Sequence, residues 1–536
     1  PTQNESISNE NILDLIKNLK EKSLLHSKEF GKLLVQDFGG RIKPVDTIAM
    51  EYIHKMTKEN KFLGLTNMQL ILGMMVYPNE FKKIKMIAIS TPKLKEIIGV
   101  STKDNYIAFD DVFINGDYKL LNFIEEANRK KPSMRDKFDK DVLSVDERIN
   151  AAFLIYTASY LRIIPDFKEE SLTWYAPTQA INDFSENDRE HLQKLFQVYF
   201  GGFHQGLIEN NWENANLALM ALHKIQEKFV AELLPSQTKI FLEIFLNHFN
   251  IFDNLTFFYI TAGLFLLILT LIQILRNKNI NTPLARFTHW FIVFLVLIHT
   301  LGLGLRWYIG EHAPWSNAYE SMIYIAWAAG VAGTIFFARN FLALATSSFL
   351  AGISLFVAHL GFMDPQIGNL VPVLKSYWLN IHVSIITASY GFLALCFMLG
   401  VITLIFFIFR NQKYQTIDQT ILTLHTINEM SMIIGLAMLT IGNFLGGVWA
   451  NESWGRYWGW DAKETWALIS ITIYVIVLHV RFLPNGDKPY LFATLSVIAF
   501  YSILMTYFGV NFYLSGLHSY AAGDPIPIPA FLYYFV

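Results

Sequence analysis

The chain has 536 residues, 53% of them hydrophobic and only 16% charged, with 44 phenylalanines and a net charge of −2. An ordinary soluble domain carries about 25% charged residues, so a wholly soluble protein is excluded, and the charge balance leaves no basic patch of the kind nucleic acid requires. The deficit belongs to one half: of 43 basic and 45 acidic residues, only 12 and 11 fall at Ile251 or beyond. Residues 1–250 therefore read as a water-soluble domain and 251–536 as a membrane domain. The long apolar runs exclude an outer-membrane β-barrel, whose strands alternate apolar and polar residues. The expected fold class is all-α, a polytopic membrane domain of about eight spans preceded by a mostly helical domain.

In the first half, apolar residues at three- and four-residue spacing predict helices over 8–20 and 143–164. Ser185 followed by Asp188 predicts a helix start, with the helix running through Phe200. A further amphipathic helix covers 215–234 and stops at Pro235. The segment 238–249 has its apolar positions mostly on one face, directly before the first span. It suits either the bilayer surface or packing on the soluble domain. Gly39, Gly40, Arg41 and Lys43 form a loop to which the sequence assigns no role.

After Ile251, eight apolar runs have about the 20 residues that a bilayer crossing needs: 255–275, 284–305, 318–337, 341–362, 378–409, 427–449, 465–482 and 490–514. Basic residues concentrate in the loops joining spans 1–2, 3–4, 5–6 and 7–8, including Arg276, Lys278, Arg286, Arg339, Arg410 and Arg481. The positive-inside rule sets these loops in the cytoplasm. The soluble domain and the loops 2–3, 4–5 and 6–7 are then expected in the periplasm or its equivalent. The single cysteine, Cys396, lies in an apolar run and reads as a small buried hydrophobe.

Loop 6–7, expected over 451–466, is the unusual feature. Trp454, Gly455, Arg456, Trp458, Gly459, Trp460, Asp461, Lys463, Glu464 and Trp466 put four tryptophans among two glycines and four charges. Interfacial anchoring explains one or two tryptophans. The whole strip suits a large planar apolar ligand with anionic groups. His382, at the outer start of span 5, and His518, just past span 8, fall at the same membrane level. Two imidazoles from opposite sides would give a bis-histidine haem iron against the tryptophan strip. His479 lies 13 residues after Trp466, so about 20 Å inward at ~1.5 Å per residue, where it would serve a second site. His299 is a further, weaker candidate within the spans.

The run Trp454–Trp466, bracketed by His382 and His518, resembles the tryptophan-rich WWD signature of haem-handling proteins. The nearest likeness is to the CcsA half of the CcsBA (ResB/ResC-type) System II cytochrome c synthases, and it covers roughly 251–536. The resemblance implies export of haem b (Fe-protoporphyrin IX) across the inner membrane. It further implies thioether attachment to the Cys-x-x-Cys-His motif of apocytochrome c, with no nucleophile of the protein's own. It makes His382 and His518 the external axial ligands, and Trp454, Gly455, Trp458, Gly459, Trp460 and Asp461 the haem platform. His479 becomes one of two inner membrane ligands; the other is expected from an N-terminal CcsB-like part, the chain being read as the C-terminal part of the fusion. Arg456 and Lys463 are candidates for the propionates. Two other readings compete: a haem exporter or chaperone without ligase activity, and a non-haem polytopic transporter.

Overall fold

The computed structural model describes residues 3–514, apart from 131–133, 168–172, 231–233, 361–362, 371, 411–414 and 485–487. The chain forms two compact units, Pro1–Asn247 and His248–Val536.

The first unit is helical, with four small two-stranded antiparallel sheets among its described residues. The start at Ser185 is as the sequence suggests: its hydroxyl accepts from the Asp188 amide, and the helix Glu186–Glu209 runs well past Phe200. The helix expected over 143–164 is Lys137–Tyr156. It begins earlier because Asp136 and Asp139 form a capping box. It ends earlier because Ala158 takes a positive φ of 52° and the chain turns into the strand Ile164–Pro165, paired with Trp174–Tyr175.

The loop at 37–43 acquires a role. Lys43 is buried and meets both Asp37 (3.2 Å) and Glu51 (2.7 Å), while Arg41 meets Glu243 at 2.6 Å. Glu243 belongs to the helix Gln237–Phe249, which buries Ile240, Glu243 and Leu246. That helix is therefore packed on its own unit through one face, and Phe241, Phe245 and Phe249 stay exposed on the other.

Among the described residues the second unit is a bundle built on eight main helices: α1 (Ile251–Leu275), α2 (Pro283–Gly310), α3 (Ala318–Val331), α4 (Phe341–Ala358), α5 (Tyr377–Ile408), α6 (Gln415–Trp454), α7 (Ala462–His479) and α8 (Lys488–Leu504). Seven are long and apolar enough to cross a membrane, and the protein is an all-α, multi-pass membrane protein. The third expected span departs from this pattern. Its α-helix has 14 residues and continues as a π-helical turn over Ala332–Phe336, a widening that typically marks a local rearrangement of packing. The sixth is longer than expected, 40 residues, or about 60 Å at ~1.5 Å per residue. It therefore projects well beyond the ~30 Å hydrocarbon layer.

Small residues let the helices approach closely, as is usual where apolar surface alone gives no preference for protein over lipid. A Cβ on Gly263 of α1 would lie 2.5 Å from the Phe349 amide nitrogen of α4, and one on Gly352 of α4 would lie 2.5 Å from the Ile260 side chain of α1. Cys396 is fully buried, its Sγ 3.5 Å from the Asn428 carbonyl.

Candidate functional site

The α6–α7 connection is shorter than the expected loop. Helix α6 continues to Trp454, whose ring packs edge-on against Trp449 with centroids 4.8 Å apart. Gly455 then turns the chain with φ +71°, a conformation that a side chain would strain, and its amide donates to the Asn451 carbonyl. Only Gly455–Trp460 lies outside helix before the cap of α7. Asp461 is that N-cap: its carboxylate accepts from the Lys463 amide, and Glu464 completes a capping box. Glu464 also accepts from the Gly459 amide at 2.8 Å, so one carboxylate ties the loop to the helix it opens.

Trp458 and Trp460 meet edge to face at 5.8 Å, but they face differently. Trp458 is half-buried, whereas Trp460 is 72% exposed with φ +54°. The Arg456 guanidinium folds over Gly459: a Cβ there would lie 3.0 Å from the guanidinium carbon.

A cavity of about 650 Å³ opens beside this loop. It brings together His382 of α5, Trp449 of α6, Tyr457 and Trp458 of the loop, and Lys463 and Glu464 of α7. Trp454, Trp460, Asp461 and Trp466 do not line it. Trp466 instead offers its carbonyl to the hydroxyls of Ser470 (2.9 Å) and Thr506 (3.3 Å), joining α7 to the π-helical turn Met505–Gly509 that follows α8.

His382 Nδ1 is 2.7 Å from the Gly442 carbonyl on α6. A carbonyl can only accept, so this bond fixes Nδ1 as the protonated nitrogen and leaves the lone pair on Nε2. The ring fits because Gly446, one turn on from Gly442, has no side chain. A Cβ there would lie 2.6 Å from His382 Cε1. Sequence reasoning missed this groove, whose signal is the Gly442, Gly446, Gly447 spacing within an otherwise apolar span.

The far wall includes Ser316, Gln366 and Gly368. It is held by a buried ion pair: Arg306 Nε of α2 donates to Glu320 of α3 at 2.8 Å, and Arg306 Nη2 donates to the Pro365 and Gln366 carbonyls. Glu320 also accepts from the Ser316 amide and hydroxyl. His312 lies within hydrogen-bond distance of the Ala313 carbonyl through Nδ1 (3.2 Å) and of the Gly368 carbonyl through Nε2 (3.1 Å), which gives it a role in holding the same loop.

The other sequence candidates lie apart. His479 is exposed on α7 with Nδ1 on the Val475 carbonyl. His299 is wholly enclosed against Phe252 and Tyr259. The enclosed ring and the exposed one do not form a pair. Apart from those candidates, His359 is engaged by Asp253 and the Leu355 carbonyl. His518 lies outside the described residues. No cluster of three or more His, Cys, Asp or Glu suited to a metal ion occurs among the described residues.

The model of the Cytochrome C assembly protein family matches residues 315–518, a stretch that contains most of the cavity wall. The chain is 34% identical over 252 residues to the cytochrome c biogenesis protein CcsA of Guillardia theta, covering 81% of that protein and 41% of this chain. The chain belongs to the cytochrome c assembly family, of CcsA/NrfI type. The CcsA of Chlamydomonas reinhardtii is 36% identical over 234 residues, 65% of its length and 42% of this chain. Protein NrfI of Wolinella succinogenes is 42% identical over 503 residues, 94% of this chain. The chain spans little more than half, 55%, of NrfI. At 94% of the chain, the similarity to NrfI takes in most of the first unit as well, whereas these CcsA matches cover 41% and 42% of the chain.

Proposed function

We propose that this chain is the haem-presenting part of a cytochrome c synthase. In this reading it takes haem b across the inner (cytoplasmic) membrane and offers it to the Cys-x-x-Cys-His segment of apocytochrome c. The first unit and the α6–α7 loop then face the periplasm, and the basic loops face the cytoplasm. The carrying observation is His382: its Nδ1–H is committed to the Gly442 carbonyl, on the wall of a cavity shared with Trp458 and Lys463. That tautomer directs Nε2, the nitrogen a haem iron takes, away from the bond.

The residues present fit such a group. Trp449, Trp458, Tyr390 and Tyr507 give apolar aromatic walls, and Lys463 supplies a cation for a propionate. His518 is the proposed second axial ligand. His479, turned outward on α7, is proposed for an inner site completed by a histidine from a CcsB-like part.

The haem supplies the electrophile: each substrate S–H adds across a vinyl C=C, sulfur bonding to one carbon and the proton going to the other, and nothing leaves. The protein then needs no nucleophile. Its residues bind, orient and shield, the usual division of labour with a cofactor. Glu464 and Gly446 position the loop and His382, and Trp458 forms the apolar wall on the loop side.

The test is a visible spectrum of the detergent-purified protein, oxidised and reduced, beside His382→Ala and His518→Ala. A Soret band with sharp reduced bands, weakened in both variants, is expected. Co-expression with an apocytochrome should give covalently bound haem that acid–acetone does not extract. A haem-free protein, or spectra indifferent to both substitutions, would overturn the reading. Haem binding without covalent product would leave a carrier only.

A further inference from the structure

A second cavity, of about 740 Å³, lies at the opposite end of the helix bundle. The α1–α2 loop, the α3–α4 connection and the first turns of α6 meet there. Thr416 fixes this wall, its hydroxyl bonding both the Ile274 carbonyl and the Asn277 side chain. Lys278, Arg286 and Arg339 line the cavity, and among the described residues no Asp or Glu does.

Among the described residues none of the three forms an ion pair, although two other basic residues at this end do: Arg410 with Asp418 and Arg481 with Glu429. The described carboxylates Asp418 and Glu429 are thus committed elsewhere. The first turns of α2, capped by Thr282, and of α4, capped by Asn340, also border the cavity. Helix N-termini add partial positive charge and amide donors. His289, nearly one turn on from Arg286, lines it with a buried Nδ1 that has no hydrogen-bond partner. Three cations, two helix starts and an unused imidazole nitrogen describe a site for an anion.

Its surroundings identify the anion's carrier. Trp290 lines the cavity yet is 69% exposed, and Phe287 beside it is 70% exposed, both on the outer surface of a membrane-spanning helix. Tryptophan favours the headgroup level of a bilayer, and basic pockets between spans at that level suit lipid phosphates. We propose that this cavity binds the phosphate of an anionic phospholipid. Lys278, Arg286 and Arg339 hold the headgroup, and the acyl chains run along Phe287 and Trp290.

The test is native mass spectrometry of the full protein in mild detergent with dioleoylphosphatidylglycerol or dioleoylphosphatidylcholine. The anionic lipid should be retained about tenfold better or more, given three cations near the headgroup. The triple variant Lys278→Gln, Arg286→Gln, Arg339→Gln should erase that preference, and Lys488→Gln, outside the cavity, should preserve it. Because all three side chains are exposed, the triple variant should fold; Arg286→Lys alone should keep most of the preference. Equal retention of the two lipids would overturn the proposal, as would a preference that survives the triple change or falls equally with Lys488→Gln. Displacement of the lipid by millimolar inorganic phosphate would reassign the site to soluble phosphate. Loss of the haem spectrum in the triple variant would reassign it to haem carboxylates. A failed haem test at His382 would leave the lipid result standing on its own.

Discussion

The two ends of the membrane unit build their cavities by opposite means. Near the α6–α7 loop, carboxylates are committed: Glu320 to Arg306 and Ser316, Glu464 to the Gly459 and Asp461 amides, Asp461 to the start of α7. The imidazole there has a fixed tautomer and a groove cut to its shape. At the other end, three cations line a cavity with no carboxylate among the described residues, and no described ion pair orients them. The first arrangement is preorganised for a ligand of defined shape and orientation, because its polar groups have already lost their freedom. The second offers charge without geometry, which suits a mobile anionic headgroup. The difference should show in how each end responds to single substitutions.

The largest effect is expected at Arg306. Arg306→Ala would leave Glu320, which is 0% exposed, as an uncompensated buried charge. Breaking such a pair costs about 3–5 kcal/mol, whereas replacing both partners by apolar residues of similar volume is often neutral. Thermal unfolding in detergent should therefore show a large loss for Arg306→Ala and recovery in Arg306→Met, Glu320→Met. The haem spectrum should also suffer in the single variant, because the Pro365–Gln366 wall loses its anchor. Phospholipid preference should not change. An unaltered melting temperature in Arg306→Ala would mean the pair is not buried as described.

Gly446→Ala comes next. The new methyl would need the space that His382 Cε1 holds, at 2.6 Å, so the ring or α6 must shift. Overpacking of this kind costs about 1–3 kcal/mol. The sharper readout is the haem: its retention should fall more than stability alone explains, because the displaced atom belongs to the proposed ligand. A normal spectrum with a lowered melting temperature would separate the groove from the ligand role.

How much of this was legible in the sequence follows from the range of the interactions. Apolar runs of about 20 residues are local, and seven of the eight expected spans are helices of spanning length and hydropathy. The third ended differently because the π turn at Ala332–Phe336 leaves no compositional trace. The loop at 451–466 shrank because Asn451 and Trp454 extend α6 until Gly455 turns it, which only the backbone reveals. Arg41 was unreadable because its partner, Glu243, lies 202 residues away. His382 and Trp458, expected at one level from the ends of the apolar runs, line the same cavity. The tautomer of His382 was not legible, since it depends on a carbonyl 60 residues away in sequence. Glu464 was noticed only as a rim charge, although it is the residue that fastens the loop.

The smallest effect tests whether Asp461 acts through its charge or its oxygen. As the N-cap of α7 it accepts from the Lys463 amide, and the Glu464 carboxylate in turn accepts from the Asp461 amide. Removing a cap side chain costs about 1 kcal/mol, so Asp461→Ala should lower the melting temperature slightly. Asn keeps an acceptor oxygen in the same place and caps nearly as well. If Asp461 serves only to start α7 and seat the loop, Asp461→Asn should match the parent in both stability and haem content. If its charge also matters to the haem, Asp461→Asn should keep the stability and lose haem. That second outcome would place a carboxylate's charge among the working parts of this end of the bundle, although Asp461 itself does not line the cavity, and would narrow the contrast with the carboxylate-free cavity at the other end.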